Sequence, residues 1–242
     1  MRFLLLFDVD GTLIRRGDPD HLAAMDYGVR TAFPEAGSAS IHSVEFDGKV
    51  DRVIASEVLA QADVRVDPSD SRLDRIFDLA GDYYRRQWQG RQSGGSDDLL
   101  PGVAALVREL AEEPETYALG VVTGGSREIV AVKLTRLGLV ESFPVGSFGN
   151  EVPNRPALVP LALERASEYF GDVFEPEQVV IVGDTPSDVH CAHVHSIPCL
   201  GVATGKYSEE DLSRVGADLV MRDLADIERV RDALLTVSFA SR

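Results

Sequence analysis

Residues 3–12 read Phe3-Leu4-Leu5-Leu6-Phe7-Asp8-Val9-Asp10-Gly11-Thr12. Five apolar residues in a row describe a short strand buried on both faces, as in a parallel sheet. Two aspartates and a glycine follow at once, so the strand delivers carboxylates into a turn at its carboxyl end. A signal peptide would need a longer apolar stretch and a small-residue cleavage site. Here acidic residues break the run.

Similar runs recur along the chain. Residues 118–122 end at Thr123, and residues 179–182 end at Gly183-Asp184. Residues 197–202 form a further run, and 219–221 a possible fifth. Between them lie stretches with helical spacing. One is centred on Leu106 and Leu110. A second carries Ile129, Val132, Leu134 and Leu137, and a third runs from Leu158 to Phe170. This alternation predicts an α/β fold, a doubly wound parallel sheet with helices on both faces.

Residues 15–99 break the alternation with helices and no strand. Leu22, Met25, Val29 and Phe33 follow helical spacing. Val53, Ile54 and Val58 begin a second helix, and Leu73, Ile76, Phe77, Ala80, Tyr84 and Trp88 trace a third. Ser93-Gly94-Gly95-Ser96 reads as a flexible return and Pro101-Gly102 as re-entry punctuation. The expected organisation is an α/β core made of residues 1–14 and 100–242, with a helical insert at 15–99.

The 242 residues are 44% hydrophobic and carry a net charge of −16. That balance argues against nonspecific binding to nucleic acid or an anionic membrane, both of which need basic surface. No run of eighteen apolar residues predicts a membrane span. Two cysteines, Cys191 and Cys199, make no disulfide framework and no CxxC metal site, which fits a cytoplasmic protein. Lysines number three, Lys49, Lys133 and Lys206. Scarce Lys with high acidity is compatible with a salt-adapted source.

Ligands of open parallel sheets sit at the carboxyl ends of the strands. Three separate segments send Asp8, Asp10, Asp184, Asp188 and the Thr123 hydroxyl to that edge. Four clustered carboxylates repel one another and call for a cation, and oxygen-only ligands suit Mg²⁺. The turns after Thr123 and Asp184 open helices whose backbone N–H groups can hold phosphate oxygens. Gly11, Gly124 and Gly125 let the backbone approach a ligand closely.

These residues resemble the haloacid dehalogenase-like superfamily. Asp8–Thr12 matches its DxDGT motif, Thr123 its second motif, and Gly183–Asp188 its GDxxxD motif. The resemblance covers the whole core. It implies that Asp8 is a nucleophile forming an aspartyl-phosphate, and that Asp10 protonates the leaving group and then activates water. Thr123 and the Gly124 N–H would hold the phosphoryl group, with Gly11 beside them. Asp8, the Asp10 main-chain carbonyl and Asp184 would ligate Mg²⁺, supported by Asp188.

The family's third motif usually carries Lys. Here the segment Glu151-Val152-Pro153-Asn154-Arg155-Pro156 makes Arg155 the candidate, with Lys133 as an alternative expected to matter little. The insert resembles the family's helical cap, and Phe46–Arg52 resembles the cap loop of phosphoglycolate phosphatase-like members, with Val50 where Thr or Ser is usual. Lys49 of that loop is the candidate for substrate specificity. His190, His193 and His195 do not share one helical face and are expected to be ordinary helix and loop residues.

The expected function is therefore hydrolysis of a small phosphate monoester, 2-phosphoglycolate being the leading specific candidate, by a monomer or homodimer. A β-phosphoglucomutase-like enzyme would share the fold and the aspartyl-phosphate. A haloacid dehalogenase would lack Asp10, and a non-catalytic binding protein would not need the full acidic set.

Overall fold

The computed structural model describes residues 2–89 and 98–240, with side chains described through residue 236. Six parallel strands form one sheet, ordered β3-β2-β1-β4-β5-β6. They are β1 (Phe3–Phe7), β2 (Tyr117–Thr123), β3 (Val145–Phe148), β4 (Val179–Gly183), β5 (Cys199–Val202) and β6 (Leu219–Met221). The helices are α1 (Pro19–Ala32), α2 (Asp51–Gln61), α3 (Asp74–Trp88), α4 (Val103–Ala111), α5 (Arg127–Arg136), α6 (Leu158–Phe170), α7 (Pro186–Val194), α8 (Glu209–Arg214) and α9 (Ile227–Ala240).

β1 is central and wholly buried, paired with β2 on one side and β4 on the other. Its side chains alternate between faces. Phe3, Leu5 and Phe7 join the cluster under α4 and α9, while Leu4 and Leu6 join the one under α6 and α7. Burying each such side chain contributes roughly 1.5–3 kcal/mol. That is why five uninterrupted apolar residues suit this position.

The sequence reading gives five strands and the sheet has six. β3 escapes because two of its four residues, Gly146 and Ser147, interrupt the apolar pattern. The strand expected over 197–202 begins at Cys199, because Pro198 has no N–H for the ladder.

Helices α1–α3 lie between β1 and β2 in the chain and form their own apolar cluster around Met25, Ile54, Phe77 and Tyr84. Ile129 of α5 joins it from the core side. The two chain crossings are zipped together: Arg15 N donates to Asp98 O at 2.9 Å and Leu100 N to Leu13 O at 3.1 Å. The Ser93–Ser96 segment lies outside the described residues. No helix among the described residues is long and apolar enough to cross a membrane.

Candidate active site

β1 sets the floor of the site. The Asp8 amide donates to Val182 O at 2.8 Å, so the ladder continues one residue past the strand. Alternation puts Asp8 on the side of Leu4 and Leu6, where Arg155 arrives from the turn before α6. Arg155 Nη2 donates to Asp8 Oδ1 at 3.0 Å and also to Asp188 Oδ1. The other Asp188 oxygen is committed to the fold. It accepts from Thr185 N at 3.0 Å and from Thr185 Oγ1 at 2.7 Å, closing the capping box of α7. Asp184 Oδ1 accepts from the buried Thr12 hydroxyl at 3.3 Å.

Asp8, Asp184 and Asp188 are all buried, and each offers one oxygen within 4.8 Å of the others. Burial, then Asp188, raises the Asp8 pKa well above the carboxylate range, against the pull of Arg155. The same causes push Asp184 up to about 7. Burial opposes the charge on Arg155, but Asp188 and Asp8 more than offset it and hold the guanidinium firmly protonated. The cluster therefore has less positive charge than three ionised carboxylates need. A hard divalent cation fits this oxygen-only donor set and would supply the missing charge.

Gly11 makes room for the cluster, since a Cβ there would overlap the Asp184 carboxylate, and its φ of 104° suits glycine. Its own N–H is engaged by Ile14 O at 2.7 Å. Thr123 is buried at the end of β2, and its Oγ1 accepts from Gly125 N at 3.3 Å, which leaves its hydroxyl proton to donate elsewhere.

Asp10 stands apart from the cluster. Lys133 Nζ, from α5, donates to its two oxygens at 2.7 and 2.9 Å and lies 3.1 Å from His21 Nδ1. Both cations weighed for the third motif thus reach the site, each on a different carboxylate: Arg155 on Asp8 and Asp188, Lys133 on Asp10.

The loop before α2 closes the mouth. Asp51 N donates to Gly124 O at 2.8 Å and Arg52 N to Gly149 O at 3.2 Å. Asp51 Oδ2 accepts from Ser126 N at 2.7 Å, so a carboxylate of the insert occupies the N-terminus of α5. His21 Nε2 lies 3.5 Å from the same oxygen. Asp47 pairs with Arg16 and with Lys206 Nζ, the latter at 2.7 Å. Lys49 does not present a free charge: its ammonium sits 2.8 and 2.6 Å from the two oxygens of Glu57.

Beneath this loop is a cavity of about 120 Å³. Asp8, Asp10, Thr123, Gly124, Arg155 and Asp184 line its core side, and His21, Leu22, Ile41, Phe46, Lys49, Asp51 and Ile54 its insert side. His21 and Asp51 were not picked out from the sequence. Asp51 lies in the stretch that resembles the cap loop, two residues after Lys49, and a lone His on an amphipathic helix carries no signal. The other histidines do not converge on one point. His193 pairs with Asp218 at 2.9 Å and His195 meets Pro156 O at 2.8 Å. Cys191 is buried, with its thiol on Arg155 O at 3.3 Å and its pKa pushed up to about 12 by burial.

The geometry agrees with what the chain resembles. The family model "haloacid dehalogenase-like hydrolase" matches residues 4–193. The phosphoglycolate phosphatase of Nitrosococcus oceani is 25% identical over 228 residues, 94% of this chain and 95% of its own. That of Yersinia pseudotuberculosis is 27% identical over 225 residues, 91% and 89% of the two chains. The crystal structure of β-phosphoglucomutase from Clostridium difficile superposes with a TM-score of 0.61 at 15% identity, covering 98% of each chain, a likeness of fold. The chain belongs to the haloacid dehalogenase-like hydrolases.

Proposed function

We propose that this enzyme is a magnesium-dependent phosphatase that hydrolyses a small phosphate monoester through an aspartyl-phosphate on Asp8. The observation that carries the reading is the division of labour between the two aspartates of β1's turn. Asp8 is buried among Asp184, Asp188 and Arg155, whereas Asp10 faces the same cavity on a separate cation.

The Asp8 oxygen not held by Arg155 attacks phosphorus, and the bond from phosphorus to the ester oxygen breaks. Asp10 hands its proton to the departing alkoxide. It then takes a proton from water, which attacks the phosphoryl group and releases Asp8 and inorganic phosphate. Thr123 and the Gly124 N–H hold the phosphoryl oxygens, and Arg155 offsets charge at the nucleophile; Gly11, expected to share that task, has its N–H taken by Ile14 O and only leaves room for the carboxylates. Bound Mg²⁺ would neutralise charge on those oxygens, with Asp8, the Asp10 carbonyl, Asp184 and Asp188 as the residues to hold it. Residues 15–99 act as a cap that excludes water and meets the leaving group. The free, buried cysteines suit a reducing cytoplasm.

The relatives' names put 2-phosphoglycolate first on any substrate panel. The direct assay is phosphate release from 4-nitrophenyl phosphate with Mg²⁺ and with excess chelator. Release that stops in chelator is expected. No release in Mg²⁺, or full release in chelator, would reject the reading.

A further inference from the structure

Resting on the phosphatase reading, we infer that the leaving group is a small uncharged alcohol with an apolar face rather than a hydroxy acid. The insert side of the cavity is where a leaving group must lie, because the core side is filled by the phosphoryl machinery. Leu22, Ile41, Phe46 and Ile54 all line that side. They come from α1, α2 and the segment between them, so the apolar wall is built by the insert as a whole. An alkyl tail packed there leaves water for an apolar wall, which favours its binding.

The charges facing the same space favour the same class. A carboxylate tail would need an unengaged cation. Arg16 holds Asp47, and Lys49 holds both oxygens of Glu57. Lys133 is turned to Asp10 from behind. Against these engaged cations stand Asp18 and Asp51, whose partners are largely neutral donors. Tyr84 Oη and the Asp20 and His21 amides donate to Asp18, and the Ser126 amide to Asp51. Burial works against the charge on Asp18, but Lys133 and the Tyr84 hydroxyl keep its pKa low, so it stays ionised. A carboxylate entering here would meet acids of its own sign and lose its water with no unengaged lysine or arginine among the described lining residues to receive it, His21 Nε2 lying 3.5 Å from the Asp51 carboxylate. Val50, in the loop facing the site, turns its side chain into the cluster beneath the sheet and gives no hydroxyl to such a group.

The test compares isobutyl phosphate with 2-phosphoglycolate, whose tails have the same number of heavy atoms and branch at the same carbon but differ in charge, alongside 4-nitrophenyl phosphate. The expected result is a kcat/KM for isobutyl phosphate at least about tenfold above that for 2-phosphoglycolate. Equal or better use of 2-phosphoglycolate, or turnover of the aryl ester alone, overturns this inference while leaving the phosphatase reading standing. Phosphate release from none of the three overturns the phosphatase reading itself. Glu57→Gln is the second arm, since it frees Lys49. It should raise kcat/KM for 2-phosphoglycolate about threefold and leave isobutyl phosphate unchanged. An unchanged ratio between the two esters counts against the proposed role of charge.

Discussion

Lys133 Nζ lies 2.7 and 2.9 Å from the two oxygens of Asp10, the lysine side chain 1% exposed and the aspartate 27%. The cation is an anchor behind the wall, and the carboxylate is the part that faces the cavity. Lys133→Met should therefore lower activity in a protein that still folds. Asp10 can regain water and an apolar side chain fills the buried site, but Asp18 loses the cation that holds its pKa low, so stability should fall by about 1–3 kcal/mol. An unanchored acid-base group should lower kcat by roughly 10- to 100-fold with little change in KM. A folded variant with unchanged kcat would reduce Lys133 to a packing residue.

Arg155 joins Asp8 to Asp188, and nothing replaces it when it is removed. Arg155→Ala leaves two buried carboxylates facing each other. It should cost about 3–5 kcal/mol in stability at neutral pH and roughly 10²-fold or more in kcat. Arg155→Lys restores the charge without the planar guanidinium whose Nη2 bridges both carboxylates and should recover part of both. Thermal melts and initial rates on the three proteins check this, and a fully active Arg155→Ala would remove Arg155 from the mechanism.

The acidic cluster also fixes a pH dependence. Burial and mutual repulsion raise the pKa values of Asp8 and Asp184, the latter to about 7. A group whose folded pKa is raised contributes full stability below its unfolded pKa, near 4, and loses it as pH rises through the folded value. In chelator, melting temperature should fall by several degrees from about pH 6 to pH 8. Mg²⁺, binding only the folded state, should restore it at the higher pH. A metal-free melt that is flat across that range, or unmoved by Mg²⁺, would contradict the charge balance described for the cluster.

The cap loop is tied to the core through Asp51, which accepts from the Ser126 amide at 2.7 Å. Asp51→Ala removes the anion at the N-terminus of α5, and the loss of such a cap costs about 1 kcal/mol. The loop should close less often, raising KM for small esters more than it lowers kcat. Steady-state kinetics on isobutyl phosphate would test this, and a change confined to kcat would argue that Asp51 acts on the chemistry instead.

The core was legible because β1, β2 and β4 are apolar runs that end in the residues proposed to react. Phe3–Phe7 followed by Asp8 states both the strand and the proposed nucleophile. β3 was hidden because Gly146 and Ser147 remove the apolar signal. The partners of the site residues were hidden for another reason: pairing is long-range. Nothing near Lys133 in sequence says that it reaches Asp10 across 123 positions, and its helical spacing made it look peripheral. Lys49 looked free because Glu57 lies eight residues on, across the start of α2, where no helical i, i+4 rule applies.

Asp8 bears the central claim. The most direct measurement is rapid quench of the enzyme during turnover of 4-nitrophenyl phosphate in Mg²⁺, followed by mass mapping of its peptides. The expected result is one phosphoryl group on the peptide carrying Asp8, formed in a burst before steady-state release, and absent from Asp8→Asn, which should be folded and inactive. A phosphoryl group on any other residue, or near-native turnover by Asp8→Asn, would contradict it.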